Sequence, residues 1–277
     1  MPVRIVQSKQ NARLKELRRA LSKPPRGTGE LAGIEGPNLI REAVRANLTI
    51  SSVFVAQGSE HLLDDLFLLP ETEVLSVPPT TLNSALATET PQPIAALVEP
   101  RTWDWEHLLS GRRNTAPLIV VLAGLQDPGN VGTILRSAEA FGATGVVSLP
   151  GTVSVWNPKA VRASAGSLFR LPMLTTTMEE CILHLHNHDV TFWTTAVNRA
   201  REAHRADLTR PIALILGNEG NGVPQEIAAQ ADGALTIPYP GPVESLNVAI
   251  ATSVLLYEAA RQRSTAPASQ QRTRSTR

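Results

Sequence analysis

LIVVLAGLQDPGNVGTILRSAEAFGATGVVSLP, residues 118–150, contains an apolar strand, a turn, an amphipathic helix and a second apolar strand. The strands LIVVLAG and GVVSLP are nearly free of polar side chains, which is typical of strands buried on both faces. The helix between them, predicted over 131–141, carries its apolar residues along one arc. This unit predicts a parallel sheet covered by helices.

The same alternation continues through the rest of the chain. After residue 150 we predict strands at 190–197, 212–216 and 234–238, and helices at 158–168, 178–187, 224–230 and about 246–262. Residues 31–98 also alternate strands with helices, whereas 99–116 is interrupted by prolines and charges and predicts a linker with a short helix. We expect Trp103 and Trp105 in this linker to pack at the domain junction rather than to stack on bases.

Composition excludes several classes of protein. The 277 residues are 42% apolar, enough for two modest domains with their own cores. Without a run of 18 apolar residues or a signal-peptide stretch, we expect a soluble, cytoplasmic protein. The single cysteine, Cys181, rules out an intrachain disulfide and predicts a small buried group. His184, His186 and His188 fit no standard metal spacing, so we predict surface histidines and no metal.

Charge is distributed unevenly along the chain. Residues 1–26 carry a net +7 and 261–277 a net +5, which leaves −11 for 27–260 within a total of +1. Basic ends suit a polyanion such as RNA. For the N-terminal arm, RNA contact and simple solvation both remain open, and for the tail STAPASQQRTRSTR the polar composition predicts disorder.

NVGTILR, residues 130–136, follows the first strand of the second half. Asn130 is placed to cap the helix by accepting a backbone N–H bond. Gly132 and Arg136 lie one turn apart, away from the apolar arc. Arg136 alone would be an ordinary solvated arginine, but a glycine beside it leaves room for a ligand to approach the backbone.

LGNEGNG, residues 216–222, ends another strand in a glycine-rich loop. The loop matches neither a dinucleotide fingerprint nor a Walker motif, and it contains no lysine. Glu219 would repel a phosphate and better suits a cationic or hydroxylated ligand. A tight structural turn is the alternative.

IPYPGPVESLNVAIA, residues 237–251, approaches the last helix through three prolines. Glu244 and Ser245 are predicted to cap that helix. Asn247 is harder to explain as structure alone, because asparagine is a poor helix former whose amide both donates and accepts hydrogen bonds.

These three segments, in this order, resemble the SpoU class of the SPOUT superfamily, the S-adenosylmethionine-dependent RNA 2′-O-ribose methyltransferases. NPKAVRASAGSLFRLPM at 157–173 is similar to a fourth family segment. QNARLKELRRALSK and LAGIEGPNLIREAV more weakly resemble the small α/β substrate-binding domain (ribosomal L30e-like) that precedes the catalytic domain. The resemblance implies a basic arm at 1–26, a substrate-binding domain at 27–98, a linker at 99–116, a methyltransferase domain at 117–263 and a disordered basic tail at 264–277.

For the fold, the resemblance implies a C-terminal parallel-sheet domain with a deep trefoil knot, in which residues 212–260 form the cofactor pocket. It implies that Asn130 and Arg136 face the reacting ribose and that Glu219 helps order the site. Around S-adenosylmethionine it places Leu216, Gly217, Gly220, Ile237, Pro238, Ser245, Leu246 and Asn247. Along the RNA it places Lys159, Arg162, Ser164 and Arg170. Family members pair as homodimers, to which the last helix could contribute.

The expected reaction is transfer of a methyl group to a ribose 2′-hydroxyl, with ribosomal RNA of the 23S type and a guanosine preferred as substrate. A transfer-RNA enzyme and a silent RNA-binding protein of the same fold are the alternatives. A nucleotide-binding oxidoreductase would need a glycine fingerprint that LAGLQDPGNVG lacks. Because a guanidinium is effectively never deprotonated, we expect Arg136 to stabilise the developing alkoxide rather than to act as the base.

Overall fold

The computed structural model describes residues 3–25, 27, 29–86, 88–110, 115–196, 200–218, 220 and 222–265. The chain divides into two compact units. The first comprises Met1–Thr102 together with Ser154–Arg170, and the second comprises Trp103–Val153 together with Leu171–Arg277. This division differs from the predicted domain boundaries at 154–170, which the sequence assigns to the methyltransferase domain.

The first unit is built on a mixed five-stranded sheet in the order β1-β4-β3-β5-β2. Strands β1, β4 and β3 run parallel, and β5 is antiparallel to both β3 and β2. Its strands are β1 (Val3–Ile5), β2 (Ala32–Glu35), β3 (Ile50–Ala56), β4 (Glu73–Val77) and β5 (Ile94–Val98). Its helices are α1 (Ala12–Ser22), α2 (Pro37–Arg45), α3 (Pro79–Asn83) and, from the returning segment, α6 (Pro158–Ser164).

The predicted N-terminal arm belongs to this unit. Strand β1 pairs with β4, and α1 buries Leu14, Leu17 and Leu21 in the core under the sheet. Asn11 caps α1 by accepting a bond from the backbone N–H of Arg13 at 2.9 Å. The apolar stripe of α1 therefore determines its position, and its basic residues lie mainly on the exposed face.

Residues 154–170 are attached to the first unit by an ion pair and a close backbone approach. The Arg170 guanidinium donates to Oε2 of Glu42 at 2.6 Å. A Cβ on Gly166, where φ is +90°, would lie 2.6 Å from Cβ of Glu42, so only glycine fits there without displacement. Together with Arg45, Arg170 lowers the pKa of Glu42 against the effect of burial.

The second unit contains the predicted parallel sheet. Its seven strands lie in the order β10-β12-β9-β11-β6-β7-β8, and every pairing is parallel. They are β6 (Leu118–Ala123), β7 (Gly145–Ser148), β8 (Met173–Thr175), β9 (Thr191–Thr195), β10 (Arg201–Glu202), β11 (Ile212–Gly217) and β12 (Gly233–Thr236). The helices are α4 (Trp105–Ser110), α5 (Pro128–Ala140), α7 (Met178–Asn187), α8 (Gln225–Ala228) and α9 (Val248–Thr265).

The predicted linker helix is part of the second unit's core. Leu108 of α4 is fully buried, and a Cβ on Gly145 would lie 2.3 Å from its Cγ. Trp105 stacks on His184 with ring centroids 4.5 Å apart, and Trp103 packs against the same hydrophobic cluster. Both tryptophan side chains therefore pack against this core.

Two further predictions concern the single cysteine and membrane-spanning helices. Cys181 is buried, as predicted, and burial together with the charge of Glu180 raises the pKa of its thiol to about 12. No helix among the described residues combines the length and apolar character needed to cross a lipid bilayer.

Candidate active site

The polar segments singled out in the sequence follow strands of the second unit's sheet. Strands β6, β11 and β12 are parallel members of one sheet, so their carboxyl ends share an edge. The loops after Ala123, Gly217 and Thr236 begin at this edge. In open α/β sheets ligands bind at the carboxyl ends of the strands.

Asp127, rather than Asn130, caps helix α5. Its side chain accepts hydrogen bonds from the backbone N–H groups of Gly129 and Asn130, and the helix begins at Pro128. The prediction of Asn130 as the cap was wrong because the Asp-Pro pair starts the helix three residues earlier than expected. The amide side chain of Asn130, in the first turn, is thereby not needed as a cap.

Asn247 caps the last helix and also holds Asn130. Its Oδ1 accepts from the backbone N–H groups of Ala249 at 2.9 Å and Ile250 at 3.3 Å. Its Nδ2 donates to Oδ1 of Asn130 at 3.1 Å. The predicted capping role of Glu244 and Ser245 was therefore wrong, since α9 starts at Val248 and both residues are exposed in the loop before it.

Helices α5 and α9 run in the same direction, with their N-termini together. Three contacts align in order: Asn130 with Asn247, Ser137 with Ser253 at 2.7 Å between hydroxyls, and Phe141 with Tyr257 at 5.9 Å between ring centroids. The positive ends of both helix dipoles thus lie beside the two asparagines. Negative charge that develops there is favoured.

The glycine-rich loop closes tightly on itself. Asn218 and Gly222 exchange backbone hydrogen bonds at 3.0 and 2.8 Å. A Cβ on Gly217 would lie 2.1 Å from the carbonyl carbon of Gly222 and from the backbone nitrogen of Val223, so a side chain is excluded. The Asn218 amide donates to the carbonyl of Gly124 at 3.0 Å, and its Oδ1 accepts from Gly220 N–H at 2.8 Å. Asn218 thereby ties the loops after β11 and β6 together.

Arg136 is exposed on α5, and within the described residues it takes part in no hydrogen bond or ion pair. Gly132, one turn before it, is buried. The guanidinium is consequently available to an incoming ligand. Glu219 lies outside the described residues.

The loops after β11 and β12 match the chemistry of a sulfonium cofactor. Residues 216–224 and 237–247 contain no lysine or arginine, while Glu219 and Glu244 supply acids. Such loops offer backbone donors and acceptors without the cations that a polyphosphate requires. Leu216 is buried at the end of β11, Ile237 and Leu246 are half-buried, and Gly220 and Pro238 are exposed.

The four predicted RNA-contacting residues belong to the first unit and differ in accessibility. Lys159 and Arg162 are exposed on α6. Ser164 is fully buried, and its hydroxyl donates to the carbonyl of Val161 at 2.8 Å, so its predicted RNA contact is wrong. Arg170 is half-buried in its ion pair with Glu42.

The histidine run lies on and just after α7. His186 and His188 are exposed, and His184 is half-buried under Trp105. Among the described residues no group of three or more His, Cys, Asp or Glu side chains is placed to hold a metal ion.

Sequence reasoning missed two residues that organise the site. Asp127 carries the usual signal of a helix cap, an acid directly before a proline. Asn218 has no comparable signal, because its bond to Gly124 joins positions 94 residues apart.

Comparison with known proteins gives the family. The sequence profile of the SpoU rRNA Methylase family matches residues 117–257, and that of RNA 2′-O ribose methyltransferase substrate binding matches 34–103. A 23S rRNA (guanosine(2553)-2′-O)-methyltransferase, RlmP of Bacillus subtilis, is 30% identical over 91% of this chain and 97% of its own length. A 23S rRNA (guanosine-2′-O-)-methyltransferase, RlmB of Xanthomonas campestris, is 38% identical over 53% of this chain and 59% of its own.

Similar solved structures point to the same family as the sequence comparisons. The AdoMet-bound rRNA methyltransferase from Sinorhizobium meliloti is 28% identical with a TM-score of 0.81, covering 94% of this chain and 98% of that one. AviRb from Streptomyces viridochromogenes, a SpoU methyltransferase in complex with AdoMet, is 27% identical with a TM-score of 0.79, covering 93% of this chain and all of that one. The chain therefore belongs to the SpoU rRNA methylase family and is an S-adenosylmethionine-dependent RNA 2′-O-ribose methyltransferase.

Proposed function

We propose that this enzyme methylates the 2′-hydroxyl of a guanosine in ribosomal RNA of the 23S type. The observation that carries the proposal is the match to RlmP of Bacillus subtilis, which extends over 91% of this chain and so includes both units. The substrate-binding profile at 34–103 supports a structured RNA partner. Transfer RNA is the alternative substrate, because relatives of this chain include proteins described as tRNA/rRNA methyltransferases.

The arrangement at the edge of the parallel sheet suggests a role for each side chain. Bound S-adenosylmethionine supplies the methyl group. Asn247 holds the Asn130 amide through the 3.1 Å bond between them, and Asn130 orients the ribose hydroxyl. A group held in one orientation removes much of the entropic cost of reaching the reactive geometry.

Arg136 stabilises the negative charge that develops on the ribose oxygen and clamps a neighbouring phosphate. Its guanidinium is exposed and offers five N–H donors in a fixed plane. The parallel N-termini of α5 and α9 add to the same favourable potential. Ser245 and Glu219 complete the site in this proposal.

Cofactor binding is assigned to the loops after β11 and β12. Gly217 and Gly220 present backbone, and Leu216, Ile237, Pro238 and Leu246 supply apolar surface. The trefoil knot through 212–260 is part of this proposal.

RNA contact outside the catalytic edge is assigned to Lys159 and Arg162. Both are exposed and positively charged, as phosphate contacts require. Arg170 is left out because Glu42 already satisfies its charge.

A homodimer is proposed through the exposed face of α9. Ile250, Val254 and Tyr257 are 56%, 40% and 55% exposed and share one face of the helix at spacings of four and three residues. A Val254→Glu substitution should convert a dimer into monomers in sedimentation analysis. Wild-type protein that sediments only at the mass of one chain would contradict the pairing.

The substrate proposal is tested by ribose-methylation mapping of total RNA from cells with and without the protein. We expect one new 2′-O-methylguanosine in 23S-type RNA. In vitro transfer of a tritiated methyl group to purified 23S, 16S and transfer RNA, run in parallel, supplies the control. Label confined to transfer RNA would overturn the ribosomal assignment and leave the reaction class intact.

A further inference from the structure

A polar cavity lies within the first unit, at the junction of β2 and α2. Its volume is about 770 Å³, within the range of pockets that hold small-molecule-sized groups. Its walls come from the end of β2, the start of α2, residues 88–92 and two positions of the returning segment, Arg162 and Ala165. Of these residues, the function proposed above uses only Arg162, as an RNA contact.

Glu35 is a buried carboxylate on the wall of this cavity, only 8% exposed. One oxygen, Oε1, accepts from the Thr88 hydroxyl at 2.7 Å and from the Gln92 backbone N–H at 2.8 Å. Within the described residues the other oxygen, Oε2, has no hydrogen-bond partner. Oε2 is not a buried unsatisfied atom, so it is accessible from the cavity and can accept from a ligand that brings N–H donors.

The neighbouring helix end adds donors beside this acceptor. Helix α2 starts after Gly36, which has a φ of +98° and provides no capping side chain. The N–H groups of its first turn, at Asn38 and Leu39, belong to residues that line the cavity. The cavity thus combines one strong acceptor with adjacent backbone donors.

The charges argue against a phosphate in this cavity. Glu35, Glu42 and Glu89 line it, and Arg162 is the only cation among the lining residues. A phosphate would be repelled by the unpaired carboxylate oxygen. A neutral group with N–H donors on one edge avoids this repulsion.

We propose that this cavity receives an unpaired guanine base of the substrate RNA. The Watson–Crick edge of guanine carries two adjacent donors, N1–H and the 2-amine, beside the acceptor O6. The donors suit Oε2 of Glu35, and O6 suits the N–H groups of α2. Adenine presents an acceptor at N1, and uracil flanks its single donor with two carbonyls, so both meet the carboxylate less well. Recognition of splayed bases through this edge is general in RNA binding.

The proposal takes only the RNA substrate from the proposed function and does not require this guanine to be the methylated nucleoside. It is therefore tested by binding in the absence of S-adenosylmethionine. Fluorescein-labelled r(UUGUU) and r(UUAUU) are titrated with the full chain and followed by anisotropy. We expect about tenfold tighter binding of the guanosine oligomer, in line with a good base-edge contact.

Two matched variants, and a third that tests phosphate contact, show which residue determines the preference for guanosine. Glu35→Gln keeps the shape and the acceptor for Thr88 but places an amide donor where Oε2 was, so the preference for guanosine should disappear. Glu89→Gln removes the same charge from an exposed residue of the same cavity and should retain the preference. Arg162→Ala should weaken both oligomers equally, because phosphate contacts carry no base information.

A measurement on unmodified protein guards against a folding defect in Glu35→Gln. Photocrosslinking with 6-thioguanosine in the central position of r(UUGUU) should attach the base to peptides containing residues 35–42, 88–92 or 158–165. Equal affinity of wild-type protein for the two oligomers, a preference that survives in Glu35→Gln, or crosslinks only outside these peptides would each overturn the proposal. Loss of methyl transfer to 23S RNA alone would not, since it tests the other assignment.

Discussion

The junctions β6-α5 and β2-α2 both lead from a strand to a helix, yet they treat the helix N-terminus in opposite ways. Asp127 caps α5 through its own side chain, so that the side chain of Asn130 is not used as the cap. Helix α2 has no side-chain cap, and the acid before it, Glu35, bonds to Thr88 and Gln92 instead. In our proposals, the first junction faces the negative charge that develops on the ribose oxygen, and the second recognises the uncharged edge of a base.

The largest effect is expected at Arg136. Arg136→Ala should lower the single-turnover rate of methyl transfer by about 10²- to 10³-fold, the usual cost of removing a donor to a developing oxyanion. Arg136→Lys should recover only part of this, because an ammonium lacks the planar fork. The guanosine preference of the β2-α2 cavity should not change in either variant. If Arg136→Lys turned over at nearly the wild-type rate, the planar guanidinium would not be needed and the role assigned to Arg136 would be wrong.

Gly217→Ala should abolish S-adenosylmethionine binding in calorimetry and lower the free energy of unfolding by about 1–3 kcal/mol. The physical reason is the collision of a Cβ with the backbone of Gly222 and Val223 at 2.1 Å. Gly241→Ala is the control, because a Cβ there would meet no atom of the described residues within 4 Å. Similar behaviour of the two variants would show that the close approach is unimportant.

Asn247 combines a cap with a contact to Asn130, and two substitutions separate these roles. Asn247→Ala should lower the free energy of unfolding by about 1 kcal/mol through loss of the cap. It should also lower the rate of methyl transfer, because the donor to Asn130 is lost. Asn247→Asp retains the capping acceptor but loses the donor to Asn130. We expect it to unfold like wild type and to turn over more slowly, measured by denaturant titration and single-turnover kinetics. Wild-type turnover in Asn247→Asp would remove the positioning role.

The smallest effect is expected at Glu258, on α9 but away from both junctions. Hydrogen bonds from Arg261, with smaller help from Gln262, lower the pKa of its carboxyl to about 2. Because the pKa is lower in the folded state, the stabilisation is present above pH ~4.5 and is lost as the pH falls towards 2. Glu258→Gln should cost less than about 1 kcal/mol at pH 7 after allowance for solvent screening, and nothing near pH 2. Urea unfolding at both pH values measures it, and a pH-independent difference would contradict the assignment.

Much of the second unit could be predicted from the sequence because its strands are long and apolar. Helix α7 was predicted with its observed bounds, and β6, β7, β9 and β11 were predicted within two residues. The short strands β8 and β10 were missed, since three and two residues carry too little periodicity. Within the predicted alternation of strands and helices at 31–98, residues 60–63 form only a 3-10 segment, Glu60–Leu63, with no buried side chain to anchor it.

Local pattern could not predict contacts between distant residues. The bond between Asn247 and Asn130 joins residues 117 positions apart, and the attachment of Arg170 to Glu42 spans 128. The resemblance to a family placed both asparagines in one site. It did not reveal which of them caps a helix, because capping is decided by where the helix starts.

The contribution of residues 154–170 to the first unit affects the order of events during synthesis. When residues 1–102 have emerged from the ribosome, the sheet of this unit is complete, but one wall of its cavity has not been translated. At about 5–20 residues per second, the missing wall follows roughly 3–14 s later. During that interval the nascent chain exposes the Glu35 carboxylate to water, and the cavity is completed after only two of the seven strands of the catalytic sheet, β6 and β7, have been synthesised.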